Sequence, residues 1–142
     1  MENNNNNTAT AKKKVYASGE DYLEAILVLG NKQFGAVRSI DVAHELKVSK
    51  PSVSNAMKIL KNGGYILIDE NGFITLTDDG REIAESIYEK HRVLTTWLEY
   101  LGVNPSTAAE DACKIEHVIS KESFDKLKVH LSDVHGIKGI TE

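Results

Sequence analysis

Ser49-Lys50-Pro51-Ser52-Val53-Ser54-Asn55-Ala56-Met57-Lys58-Ile59-Leu60-Lys61-Asn62-Gly63-Gly64, followed by Tyr65-Ile66-Leu67-Ile68-Asp69-Glu70-Asn71-Gly72-Phe73-Ile74-Thr75-Leu76, changes its hydrophobic period halfway along. Val53, Ala56, Met57 and Leu60 recur at i, i+3, i+4 and i+7, which predicts an amphipathic helix. Ser49 is a good N-cap, Pro51 is tolerated in the first turn, and Gly63-Gly64 stops the helix. The two runs that follow are rich in β-branched and aromatic residues and flank an Asn-Gly turn signal, so they predict a short β-hairpin. Just upstream, Ser39 caps a second short helix, Ile40 to Leu46, with Ile40, Ala43 and Leu46 inward; a tight connection through Val48 joins the two helices. Helix, tight turn, helix and hairpin, in that order, predict a winged helix-turn-helix whose second helix reads the DNA major groove.

The rest of the chain reads as helix. Ser18 and Asp21 resemble a capping box for a first helix, with Leu23, Ile26 and Leu27 buried, ending near Gly30. Thr77 caps a long fourth helix with Asp78 and Asp79 at its positive end; Ala84, Ile87, His91, Leu94, Leu98 and Leu101 share one face, and Gly102 ends it. Asn104-Pro105 opens a fifth helix with the stripe Ala108, Ala112, Ile115 and Ile119. Ser120 caps a sixth, with Phe124, Leu127, Leu131 and Val134 inward, fraying at Gly136 and Gly139. The fold class expected is therefore mainly α. Residues 1–15, Asn-rich and then Lys-rich through Lys12-Lys13-Lys14, form a disordered arm; 16–77 form the winged DNA-binding domain; 78–142 form a helical metal-binding and dimerisation lobe.

Across 142 residues the net charge is −4, which argues against general nucleic-acid affinity, but the sign is local. Between Arg38 and Lys61, five cations face only Asp41 and Glu45. On the reading helix and its approach, Arg38, Ser49, Lys50, Pro51, Ser52, Ser54, Asn55 and Lys58 are the expected DNA contacts, the lysines on phosphate and the short polar groups on phosphate or base edges. The alternative is an ordinary helical core with a solvated polar face. A single cysteine excludes an internal disulfide and fits a reducing compartment; no apolar run approaches the roughly 20 residues of a membrane span, and no secretory pattern opens the chain, so a cytoplasmic location without membrane contact is expected.

Cys113, Glu116 and His117 are spaced i, i+3 and i+4, which puts three potential metal ligands on one helical face. Asp21 and Glu24 are also i, i+3, and His91 interrupts an apolar stripe. Each residue alone has a plainer reading: Asp21 as a helix N-terminal acid, Glu24 as a solvated carboxylate, His91 as a satisfied core histidine, Cys113 as a small apolar side chain. Together they assemble oxygen, nitrogen and sulfur donors suited to a borderline divalent ion such as iron, manganese, cobalt, nickel or zinc. His44, His130 and His135 lack such partners and read as surface or core residues. Trp97, Leu101, Phe124, Leu127 and Leu131 offer more apolar surface than one small lobe should leave exposed, which predicts a homodimer interface; the alternative is that they fold into the lobe's own core. A hydrolytic metalloenzyme would need an open coordination position and a general base, and no spare acid stands at a suitable spacing. A metal-independent winged-helix adaptor is the other competing reading.

The series Asp21-Tyr22-Leu23-Glu24, Lys50-Pro51-Ser52-Val53-Ser54, Leu76-Thr77-Asp78-Asp79-Gly80, Lys90-His91-Arg92 and Asp111-Ala112-Cys113-Lys114-Ile115-Glu116-His117 resembles the diphtheria-toxin-repressor family of iron- or manganese-dependent transcriptional regulators over roughly residues 16–135. The resemblance implies a homodimeric repressor that binds double-stranded palindromic operator DNA when metal is present. It implies ligands at Asp21, Glu24, His91, Cys113, Glu116 and His117. Manganese-type members carry the aspartate and glutamate of the first helix but a glutamate in place of Cys113; iron-type members carry the cysteine, but methionine in place of Asp21 and an acid in place of Thr95. The chain is thus a hybrid, with ferrous iron the first expectation and manganese the second. The SH3-like C-terminal domain of larger members has no counterpart after the sixth helix, so no ligands are expected from it.

Overall fold

The computed structural model describes residue 15 and residues 17–135, with side chains to residue 133. Of the expected arm only Val15 is described, and it packs partly buried against the core rather than standing free; the arm's three lysines, the inward side chain of Val134, and the fraying end at Gly136 and Gly139 lie outside what is described. Among the described residues, six helices and one hairpin follow in the order α1 (Ala17–Lys32), α2 (Ser39–Leu46), α3 (Lys50–Asn62), β1 (Ile66–Ile68), β2 (Ile74–Leu76), α4 (Asp78–Tyr100), α5 (Pro105–Ile115) and α6 (Lys121–His135).

Local chemistry explains most of the boundaries. The Ser49 hydroxyl accepts from the Ser52 N–H at 3.3 Å at the start of α3. The Thr77 hydroxyl accepts from the Gly80 N–H at the start of α4, and the Asn104 side chain from the Ser106 N–H at the start of α5. The Ser120 hydroxyl accepts from the Ser123 N–H and opens α6. Two expected caps are corrected. Ser18 sits inside α1, which begins at Ala17. Arg38, not Ser39, is the N-cap of α2: it holds extended backbone, and the Asp41 carboxylate reaches back to accept its N–H at 2.9 Å.

β1 and β2 pair antiparallel, Ile66 opposite Leu76 and Ile68 opposite Ile74. The Asp69 carboxylate ties the turn by accepting the N–H groups of Asn71 and Phe73, and Gly72 supplies the positive φ. The wing is stitched to the body by Ile74 N–H to the Val37 carbonyl and Thr77 N–H to the Tyr65 carbonyl. At that junction α4 begins almost against the backbone of Tyr65: a Cβ on Gly80 would stand 2.0 Å from the Tyr65 carbonyl oxygen.

Two apolar clusters result. The first joins Leu23, Ala25, Ile26, Leu27 and Leu29 of α1 with Val37, Val42, Ala43, Val53, Met57, Leu60, Tyr65, Ile66, Ile74 and Ala84. Within α2 it is Val42 and Ala43 that are buried, whereas Ile40, expected inward, is exposed. The second cluster holds Val93, Phe124 and Leu131, with Trp97, Ile119 and Leu127 against it. Helix α4 belongs to both, packing on α1 at one end and on α5 and α6 further along; buried Ala108 and Ala112 let α5 lie close to it.

Candidate metal centre and DNA-reading surface

Where α1, α4 and the end of α5 meet, five of the six expected metal donors, Asp21, His91, Cys113, Glu116 and His117, converge; Glu24 is in neither close donor group but stands near enough for Glu116 and Asp21 to act on its carboxyl. Helix α5 stops at Ile115, one residue short of the expected ligand face; Glu116 is its C-cap and keeps helical backbone, while His117 stands in the turn that follows. The displacement is small enough that the i, i+3, i+4 face survives. Glu116 is 1% exposed and splits its two oxygens between two imidazoles. Its Oε2 lies 2.9 Å from His91 Nδ1, and its Oε1 lies 3.5 Å from His117 Nε2. His117 Nε2 in turn lies 2.9 Å from Asp21 Oδ1. Two triads follow, His91–Cys113–Glu116 and Asp21–Glu116–His117, each with its donor atoms within 4.8 Å of one another and both sharing Glu116.

The electrostatics show what this cluster lacks. Burial pushes the Glu24 carboxyl up to about 7, and the neighbouring Glu116 pushes it the same way. The Cys113 thiol, though the residue is exposed, is pushed up to about 11, first by desolvation and then by the carboxylates of Glu116, Asp21 and Glu24. His91 is raised, chiefly by its hydrogen bond to Glu116. Glu24 Oε2, Glu116 Oε1 and His117 Nδ1 are buried without hydrogen-bond partners. Crowded carboxylates and orphaned buried oxygens are costly unless a cation compensates them. The donor set, carboxylate, imidazole and thiol together, therefore fits a divalent transition metal.

The reading helix lies apart from this centre. Lys50, Pro51, Ser52, Ser54, Asn55 and Lys58 are exposed along α3 while Val53, Met57 and Leu60 are buried beneath them. The hydroxyls of Ser49 and Ser52 are 2.8 Å apart and engaged with each other at the cap. Arg38 is exposed, with its guanidinium carbon 4.4 Å from the centre of the Phe73 ring, at the turn end of the wing.

Sequence profiles match both halves of this architecture. The N-terminal DNA-binding domain of the iron-dependent repressors matches residues 14–72, and their metal-binding and dimerisation domain matches residues 77–135. An uncharacterised HTH-type transcriptional regulator of Methanocaldococcus jannaschii is 35% identical over 113 residues, 79% of this chain and 90% of that protein. The chain belongs to the iron-dependent repressor family. The transcriptional regulator MntR of Escherichia coli O6:H1 is 34% identical over 119 residues, covering 84% of this chain and 76% of its own. Among solved structures, the metal-dependent transcriptional regulator MtsR superposes with a TM-score of 0.74 at 31% identity, and the manganese regulator SloR with 0.72 at 29%. The chain spans 80% of its own length and 53% of theirs in both cases.

This repressor is thus a metal-dependent, DNA-binding transcriptional regulator and not an enzyme; it carries a dimerisation domain, and among the described residues no helix is long and apolar enough to cross a membrane. Its expected dimer residues divide. Phe124 and Leu131 are buried in the second core of the single chain, and Trp97 and Leu127 pack partly against them. Only Leu101 is largely exposed, at 60%. Glu20, beside the repressor's centre, escaped the sequence reading, whereas Thr95 was noted there as standing where iron-type members carry an acid. Glu20 Oε1 lies 3.5 Å from His117 Nδ1. The Thr95 hydroxyl, one turn beyond His91, is buried without a partner. For Glu20 the available signal was its place beside Asp21, where two adjacent acids read simply as a helix N-terminus.

Proposed function

We propose that the chain is a homodimeric repressor, acting in the cytoplasm on palindromic operator DNA and switched by ferrous iron, with manganese as the second candidate. The observation that carries this reading is the pair of triads sharing Glu116, because their donors come from elements on both sides of the molecule. Asp21, with Glu24 beside the triads on the same helix, belongs to α1, which shares its core with the reading helix α3. His91 belongs to α4, and Cys113, Glu116 and His117 to α5 and the turn after it, in the dimerisation lobe. A bound divalent ion supplies the positive charge that these donors lack. Asp21 and Glu24 are then held against His91, Glu116 and His117 in place of repelling Glu116, so α1 is fixed relative to α4 and the tilt of α3 is set.

Switching requires that these donors bind the ion more tightly in the DNA-competent arrangement than in the other. A coupling of about 1–3 kcal/mol corresponds to about 5–150-fold tighter operator binding. In the competent arrangement Lys50, Lys58 and Arg38 face phosphate, with Ser54 and Asn55 at base edges. Ser49, Pro51 and Ser52 shape the start of the reading helix where it enters the groove. Two copies meet through the exposed end of α4 around Leu101, with Trp97 and Leu127 as flanks and Phe124 and Leu131 as the support beneath. The thiol of Cys113 is the softest donor and favours iron over manganese; the carboxylates of Asp21 and Glu24 favour manganese.

The test is operator binding by protein stripped of metal, then supplied with ferrous iron or manganese, then treated with chelator. Binding is expected only with metal present. Equal affinity in all states would overturn the reading in favour of a metal-independent winged-helix protein.

A further inference from the structure

His117 is gripped from two sides by adjacent residues of one helix. Its Nε2 faces the cluster, 2.9 Å from Asp21 Oδ1 and 3.5 Å from Glu116 Oε1. Its Nδ1 points the other way, is buried, and lies 3.5 Å from Glu20 Oε1 without a formed hydrogen bond. Glu20 has no place in either donor triad. Its carboxylate is nevertheless largely covered, at 20% side-chain exposure, and the groups that favour its charge are His117 and Lys90. A half-buried carboxylate kept beside an imidazole that has one nitrogen turned toward metal donors has a known physical use. A histidine ligand donates its second ring N–H to an acceptor, which fixes the tautomer and the ring plane.

We propose that Glu20 is a positioning residue for His117: it accepts the Nδ1–H, so that Nε2 is left as the lone-pair donor aimed between Asp21 and Glu116. The proposal rests on the metal site proposed above. Successive α1 residues divide the work, Asp21 on the metal side of the ring and Glu20 on its far side. His117 stands in the turn past the end of α5, whose backbone is tied to Ile115 by the N–H groups of Val118 and Ile119; that fixes the main chain but not the ring, which a carboxylate from α1 orients. Glu20 also adds a second tie between α1 and the dimerisation lobe.

The test uses the full chain, zinc as a diamagnetic probe, and nitrogen-edited NMR of the imidazoles, with zinc affinity measured by competition against a chromophoric chelator. In the wild type the His117 Nδ1–H is expected to be protected from solvent exchange, both without metal and with zinc. Glu20→Ala should lose that protection and bind zinc roughly 10–100-fold more weakly. Glu20→Gln keeps an acceptor oxygen and should stay near wild type in both readouts. Unchanged protection and unchanged zinc affinity in Glu20→Ala, or a His117 protonated on Nε2 in the zinc form, would overturn the proposal. If the wild type bound no zinc, iron or manganese, the metal-site reading would fall, while exchange of the metal-free Nδ1–H would still decide whether Glu20 holds the ring.

Discussion

Glu24 shows at the level of one side chain how the fold is held ready for a cation. Its carboxyl is raised from 4.5 to about 7 by burial and by Glu116, so the metal-free folded state binds this proton more tightly than the unfolded chain does. The sign follows: with Glu24 protonated the fold suffers no penalty, and as pH rises from about 4.5 through about 7 the charged form makes a growing unfavourable contribution. Glu24→Gln, stripped of metal, is therefore expected to melt higher than wild type at pH 8 and level with it near pH 4.5, in thermal scans with chelator. A difference independent of pH would mean the carboxyl is not desolvated as described. Cys113 sets a second expectation. Replacing the soft donor by a hard one, Cys113→Glu, should shift the ratio of activation constants toward manganese without loss of fold, since the residue is exposed. An unchanged iron-to-manganese ratio would remove Cys113 from selectivity. That Asp21, His91, Cys113, Glu116 and His117 come together was legible because ligand chemistry demands particular residue types at helical spacing. Glu20 was not, because an acid beside an acid at a helix start looks the same whether or not a histidine from a residue far along the chain arrives at it.

Among the elements, the junction of wing and α4 is the tightest. Gly80→Ala places a methyl against the Tyr65 carbonyl, a backbone atom that cannot swing aside, so the hairpin or the start of α4 must move. Overpacking of this kind costs about 1–3 kcal/mol, more than the gain in helix propensity from alanine. Denaturant titration should show the midpoint fall, and stability at or above wild type would contradict the contact. On α3 the exposed groups are expected to divide by role. Lys58→Ala should weaken operator and random duplex alike and flatten the salt dependence, whereas Asn55→Ala should change base preference. Equal losses on both duplexes for both variants, measured across a salt series, would abolish that division. Most element boundaries were readable because caps are local chemistry: Ser49, Thr77 and Ser120 accept the N–H groups that their positions suggested. Ser39 failed as a cap because Arg38 holds the extended backbone and Asp41 serves its N–H, so a good capping residue was passed over one position into the helix.

Over the whole molecule, α4 is the beam that links a DNA-reading core to a dimerisation core, and the donors sit where α1 rests on it. The order of elements was legible from periodicity together with the cap, stop and turn residues between the periodic runs. Which surface faces a second copy was not: an apolar stripe on α6 specifies burial without saying whether the same chain or another supplies the cover, and Phe124 and Leu131 turn out to be covered by their own chain. The central claim is that metal occupancy and operator binding are coupled through α1. Coupling of this kind is reciprocal, so it is tested most directly from the metal side. The affinity of the full chain for its activating ion should be measured with and without saturating operator duplex. The account predicts that operator tightens metal binding by the same factor by which metal tightens operator binding, about 5–150-fold for a coupling of about 1–3 kcal/mol. A metal affinity identical with and without operator would contradict it.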